Sequence, residues 1–212
     1  MSTQHKTGKK EKDDKRKRLI DAAYNVFVKK GYLNASIKDI AKEADMTSGL
    51  VHYYFKNKEE LLLSVQEDVQ KQYQKQYQNQ YQHQHEEQPV SLKSIHVGDV
   101  FGEIKSRAEQ NPDWYRWRYE IFSLGIKSES GQLEQEVASI LQNGRDSLST
   151  PLQRLVGESR SQHADALASI LLACFDGLAL QKIVDDKLDF DKSYAVLTEL
   201  VELYLNQSKP SN

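Results

Sequence analysis

Thr47, Ser48, Gly49, His52 and Tyr53 lie within one short stretch and offer two hydroxyls, an open backbone, an imidazole and a phenol. Such groups exchange hydrogen bonds without needing an acid–base partner, which suits contact with base edges and phosphate oxygens better than bond-making. Catalysis asks for converging acids, bases or nucleophiles, and no such constellation is visible. Cys174 lies within SILLACFDGL, an apolar run with no neighbouring His or Lys, and reads as a packed core thiol. His83, His85, Glu86 and Glu87 could be drawn as a metal site. They sit in a glutamine-rich stretch that ends at Pro89, so a solvated linker is the reading, with no metal or cofactor expected.

The elements that must position the donor set are legible around it. A helix begins at Asp13, where Leu19, Ala22, Ala23, Val26 and Phe27 repeat on one face, and Gly31 stops it. Residues 1–12 are polar without apolar periodicity and read as a disordered tail. Ser36 is an N-cap type opening a short helix that turns Ile37, Ile40, Ala41 and Ala44 inward. Thr47 opens a third helix to about Tyr54, and Asn57 caps a fourth carrying Leu61, Leu62 and Val65. The turn between Ala44 and Thr47 is too short for antiparallel packing, so the pair crosses steeply and projects the second helix outward. With Ile40, Ala44, Met46, Val51 and Phe55 buried, the leftover face holds Thr47, Ser48, Gly49, His52 and Tyr53.

Beyond this the chain reads as helix throughout, an all-α protein. From Gln70 to Gln88 glutamine alternates with Tyr, Lys, His and Asn. Tyr73, Tyr77 and Tyr81 suit one side of a helix reaching about His83, although the alternation equally fits a strand or a disordered tract. Further helices are expected over about 92–111, from Asn111-Pro112 to about Lys127, and from Gln132 to about Val156 with a kink or break at Pro151. Residues 162–186 form the most apolar stretch, and Asp189 or Asp191 caps a last helix. The expected domains are 13–60 and 61–207, between the tail 1–12 and a polar tail 208–212.

Charge divides along the same line. Residues 1–60 hold 14 Lys/Arg against 9 Asp/Glu, and the remainder 15 against 22. A basic head on an acidic body fits a nucleic-acid reader, although a solvated lysine-rich tail gives the same numbers. No run approaches the roughly 18 consecutive apolar residues of a membrane span, so no membrane partner is expected. The charged start, without an apolar run behind it, argues against a secretory signal. A single cysteine agrees with a reducing cytoplasm.

Residues 15–62 resemble the TetR family of transcription regulators. The likeness rests on Ala22, Ala23, Phe27, Gly31 and Tyr32, then Ser36, Ile40-Ala41, Asp45-Met46, Thr47 and Gly49. It continues through His52-Tyr53-Tyr54-Phe55 and Lys58-Glu59-Glu60-Leu61. Asp45 stands where the family has a turn glycine, and Asp tolerates a left-handed backbone better than most residues. His52 stands where the family often has a tyrosine that touches DNA. The resemblance implies that Ser36 and Lys38 meet phosphate, that Thr47, Ser48, Gly49, His52 and Tyr53 face the major groove, and that Tyr54 and Lys58 clamp backbone phosphates. Lys15, Arg16, Lys17 and Arg18 form a basic arm able to reach a neighbouring phosphate or minor groove.

The resemblance further implies a homodimer on operator DNA, released when a small-molecule effector in the C-terminal domain changes the spacing of the two heads. Trp114, Tyr115, Trp117, Arg118, Tyr119 and Phe122 put aromatics on two faces of one helix, enough to line a pocket or to fill a core. Of these, Trp114, Trp117, Arg118, Tyr119 and Phe122, with Tyr73, Tyr77, Leu172 and Phe175, are the candidate effector contacts. Leu178, Leu180, Gln181, Val184, Leu197, Val201 and Tyr204, taken by spacing from the last two helices, are the candidate dimer contacts. Two other classes compete: a helical ligand- or metal-binding protein with a vestigial helix-turn-helix, and a small helical enzyme, for which no constellation speaks.

Overall fold

Leu19, Ala22, Ala23, Val26 and Phe27 are all buried, together with Ile40, Ala41 and Ala44, Val51 and Phe55, and Leu61, Leu62 and Val65. In this computed structural model four helices surround that core: α1 (Thr3–Lys30), α2 (Ile37–Glu43), α3 (Ser48–Tyr54) and α4 (Lys58–His85). The structure describes residues 3–85, 96–128, 131–156 and 162–206, with side chains from Lys10 onward except 73–74, 76–85 and 154. Helix α1 packs on α2 and α4, and α2 on α3.

Residues 3–12 are helical and not the disordered tail expected from their polarity. Lys, Glu and Asp at helical spacing support one another, as Lys15 and Glu11 do at 2.7 Å, and the segment extends a helix nucleated by the apolar face behind it. The glutamine-rich segment is helical to His85. The chain divides into compact units Met1–Val90 and Ser91–Asn212, so α4 belongs with the N-terminal helices instead of beginning the second domain at Leu61.

The second unit contains α5 (Val97–Gln110), α6 (Pro112–Lys127), α7 (Gly131–Leu155), α8 (Ala164–Val184) and α9 (Phe190–Asn206). Among the described residues there is no strand. Residues 86–95, which include Glu86, Glu87, Pro89 and the expected start of α5, lie outside the described set, as does the tail 207–212. Helix α7 packs between α6 and α8, and α5 lies on α9. Gly125 lets α6 approach α7 closely: a Cβ there would sit 3.0 Å from the Leu133 carbonyl oxygen and collide with Val137. Of the kink or break expected at Pro151, the break does not occur; α7 continues through it as one helix that packs on both α6 and α8. Asn111 does not cap α6 with its side chain, which donates instead to the Arg107 carbonyl at 3.3 Å. Asp189 caps α9, its Oδ1 accepting from the Lys192 amide at 2.9 Å.

Among the described residues, α8 alone is long and apolar enough to cross a membrane by length and composition, a property that counting unbroken apolar runs passed over. Its Ala168, Leu171, Phe175 and Ala179 belong to the core of the second unit, and its Asp176 is ion-paired to Arg118 of α6.

Candidate nucleic-acid interface

Helix α2 starts with reciprocal capping. Ser36 Oγ accepts from the Asp39 amide at 3.1 Å while Asp39 Oδ2 accepts from the Ser36 amide at 3.0 Å. The Ser36 hydroxyl also donates to that carboxylate at 2.7 Å, and Lys30 Nζ donates to its other oxygen at 2.7 Å. These bonds, the Lys30 ammonium first, hold the Asp39 carboxyl well below the usual carboxylate range. Ser36 is exposed, but its hydroxyl is taken up by the Asp39 cap and sits beside an anion, which argues against the direct phosphate contact expected of it. Lys38, in the same first turn, is exposed.

The turn that separates α2 from α3 is a Schellman closure. Asp45 takes φ 53°, its amide donates to the Lys42 carbonyl at 3.2 Å, and the Met46 amide donates to the Ala41 carbonyl at 2.8 Å. The left-handed position is thus occupied by aspartate, as its place in the turn suggested. Arg18 finishes the same helix end, donating from Nη2 to the Ala44 carbonyl at 2.9 Å.

Thr47 then caps α3, its Oγ1 accepting from the Leu50 amide at 3.3 Å. Val51 and Phe55 anchor the short helix in the core. That leaves Thr47, Gly49, His52 and Tyr53 exposed, Ser48 and Tyr54 half-buried, and the Tyr53 ring 66% exposed. A Cβ on Gly49 would meet only Thr47 Oγ1, at 3.9 Å, so nothing within the chain requires glycine there. What it offers is an unobstructed backbone to another molecule.

The basic residues divide differently from the expectation. Lys58 does not reach outward: Nζ donates to the carbonyls of Tyr32 at 2.7 Å and Ala35 at 2.9 Å, and lies 4.2 Å from the Tyr32 ring centre. It fastens the start of α4 to the loop before α2. Arg16 stacks 5.1 Å over Phe55 and donates to Ser64 Oγ at 3.0 Å. Lys17 pairs with both Asp21 and Asp68, the latter on α4. The expected arm is therefore a helical turn of α1 from which Arg16, Lys17 and Arg18 reach other elements of the head. Lys12, missed when residues 1–12 were set aside, lies 5.4 Å over the Tyr53 ring. The i, i+4 pairing of Glu11 with Lys15 was the sequence signal that helix continues there.

Residues 19–65 match the family model for bacterial regulatory proteins of the tetR family. Over these residues the chain is similar to the TetR family. Over 56 residues it is 41% identical to the fatty acid metabolism regulator protein of Bacillus subtilis, a match covering 26% of this chain and 29% of that relative. The chain thus matches less than a third of that relative's length. The fold extends further. A transcriptional regulator from Rhodococcus superposes with TM-score 0.66 at 20% identity, covering 91% of this chain and 96% of the other. The regulator FadR of Bacillus subtilis, solved in complex with stearoyl-CoA, does so with TM-score 0.61 at 19% identity, over 86% and 95%.

The second unit re-sorts the remaining candidates. Trp117 is buried, Phe175 packs edge-on to Phe101 at 5.0 Å, and Trp114 packs edge-on to Tyr115 at 4.7 Å. Arg118 is buried and held by Asp176, with Trp114 at 5.5 Å and Phe122 at 4.6 Å from its guanidinium carbon. Tyr119 donates to the Asp176 carbonyl at 2.6 Å. Trp114, Phe122 and Leu172 are half-buried, and the side chains of Tyr73 and Tyr77 lie outside the described set.

The candidate dimer residues separate cleanly. Gln181 and Val184 are exposed, whereas Val201 is buried and Leu178, Leu197 and Tyr204 pack against the core of their own chain. The exposed apolar side of α9 is instead Val196, Leu200 and Leu203, and that of α8 is Ile170, Leu180 and Val184. The displacement has a simple cause. Both sides of these helices are apolar, and spacing alone does not say which side faces inward. Among the described residues no cluster of His, Cys, Asp or Glu could hold a metal ion.

Proposed function

We propose that this chain is a cytoplasmic, sequence-specific transcription repressor that binds operator DNA as a homodimer and is released by a small-molecule effector. The observation that carries the reading is α3 itself. A capped, seven-residue helix behind a left-handed turn exposes Thr47, Gly49, His52 and Tyr53 while Val51 anchors it. A helix so presented fits the major groove, with Lys38 placed for phosphate. The reading contains no catalytic step.

Dimerisation is supported by two exposed apolar stripes. Ile170, Leu180 and Val184 on α8 and Val196, Leu200 and Leu203 on α9 lie exposed on helices that pack together. A second copy offers the same pair of helices, and a two-fold four-helix contact would cover both stripes at once. For the effector, the half-buried Trp114, Phe122 and Leu172 are the candidate contacts. The stearoyl-CoA complex of the FadR neighbour supports a ligand-holding role for this fold. An effector that releases DNA must bind the released form more tightly than the DNA-bound form.

The test is footprinting and anisotropy on DNA from the protein's own upstream region, with Thr47→Ala, His52→Ala and Tyr53→Ala. Each substitution is expected to lower the operator-to-random affinity ratio about fivefold to a hundredfold, the range of a lost base contact. An unchanged footprint and affinity in all three variants would overturn the reading of α3.

A further inference from the structure

The first four turns of α1, Thr3 to Arg18, carry eight Lys or Arg against three acids and no apolar residue, so burial gives this segment no reason to be there. It nevertheless continues the helix whose Leu19 to Phe27 face forms the core of the head, and its direction is thereby fixed. At 1.5 Å per residue, residues 3–12 extend the helix by roughly 15 Å. The nearer cations are already engaged: Arg18 at Ala44, Arg16 at Ser64 and Phe55, Lys17 at Asp21 and Asp68, Lys15 at Glu11. Lys10 and Lys12 are exposed. The Lys12 ammonium lies 5.4 Å over the ring of Tyr53, itself exposed on the outward face of α3. The basic extension therefore borders the exposed face of α3 at a defined point, and Lys9 stands one turn before Lys12 on the same side of the helix by register.

We propose that the N-terminal extension of α1, centred on Lys9 and Lys12, is a second DNA contact that binds backbone phosphates flanking the base pairs read by α3. The inference rests on the DNA-binding reading above and adds to it a separate footprint. Charge complementarity and continuity with α3 select the occupant. A polyanion gripped through Tyr53 would bring its neighbouring phosphates to Lys12, and the cation–π contact holds that lysine close to the groove before DNA arrives. Phosphate contact of this kind strengthens binding to every sequence alike and leaves base preference to α3.

The experiment uses the full-length protein, wild type and the double variant Lys9→Gln/Lys12→Gln, titrated at several salt concentrations. Each titration is made on the footprinted operator, on a duplex trimmed to the α3 contacts, and on a scrambled duplex. In the wild type, each lost phosphate contact corresponds to about 0.9 in the slope of log affinity against log salt. The double variant is expected to lower that slope by about 1.8 per head on the long operator, with the operator-to-scrambled ratio unchanged. It should have little effect on the trimmed duplex, and Lys9→Arg/Lys12→Arg should restore the slope. The same slope in wild type and double variant on the long operator overturns the proposal. So does a loss confined to the operator-to-scrambled ratio, which would make these lysines part of base reading. A wild-type protein that binds none of the three duplexes fails earlier, at the DNA-binding reading itself, and is thereby distinguished.

Discussion

Arg118 and Asp176, 58 positions apart, form a two-pronged ion pair: Nε and Nη2 of the guanidinium each lie 3.0 Å from one carboxylate oxygen. The side chains are only 9% and 19% exposed, and Trp114 and Phe122 cover the guanidinium. The pair fastens α6 to α8 within the second unit. Removing one partner leaves the other buried and uncompensated, so Asp176→Asn should cost about 3 kcal/mol in denaturant unfolding. Arg118→Lys should fare little better, since a lysine has no fork to match the carboxylate. Midpoints within a few tenths of a kcal/mol of wild type would show that the pair does not hold the unit.

The two sides of α9 should respond oppositely to charge. Leu200, 59% exposed, lies on the outer stripe, and Val201, 5% exposed, points into the core. Leu200→Glu is expected to give a folded monomer by sedimentation, with its helical circular dichroism kept. Val201→Glu should unfold the unit. A Leu200→Glu chain that sediments like the wild type would remove α9 from the proposed interface.

Lys58 should behave as a structural fastener. With two carbonyls and a ring on its ammonium, Lys58→Ala should lower the stability of the head by about 1–2 kcal/mol. The salt dependence of DNA binding should keep its slope, because no phosphate contact is lost. A slope smaller by about 0.9 per head would return Lys58 to the phosphate backbone.

Tyr194 is buried with Phe175 stacked on it and Phe190 edge-on, and its hydroxyl has no hydrogen-bond partner among the described residues. Burial pushes its hydroxyl pKa above the ordinary tyrosine value, as it does for Tyr119. The unfolded chain therefore releases these protons first, near the ordinary tyrosine value of about 10, and stability should fall as pH rises beyond it. Tyr194→Phe should leave the neutral-pH melting temperature unchanged or raised and should flatten the alkaline decline. Thermal melts between about pH 8 and 11 measure both, and a clear loss at neutral pH would mean the hydroxyl has a partner.

Asp39 sets the opposite limb. Its carboxyl is held below the usual range by Lys30 and Ser36, so its contribution is present above the unfolded value of about 3.9 and is lost as pH falls through the lower folded one. Asp39→Asn should make the acid unfolding of the head less steep while shortening α2 at its start. An acid transition with the wild-type steepness would show that the cap carries no pH dependence.

The features legible in the sequence are those whose partners lie within a few residues. Ser36, Thr47, Asn57 and Asp189 cap helices through amides three positions ahead, and Asp45 takes its left-handed turn through bonds to Ala41 and Lys42. One apolar face on α1 sufficed to name Leu19, Ala22, Ala23, Val26 and Phe27 as core, because its opposite face is polar. Where both faces are apolar, as on α9, periodicity marks two stripes, and only packing against α5 and α8 turns Leu197 and Val201 inward and leaves Val196 and Leu200 outside. Long cations are the other case. Sequence shows the charge of Arg18, Lys58 and Arg118, but their flexible stems reach Ala44, Tyr32, Ala35 and Asp176, which only the tertiary fold brings within reach.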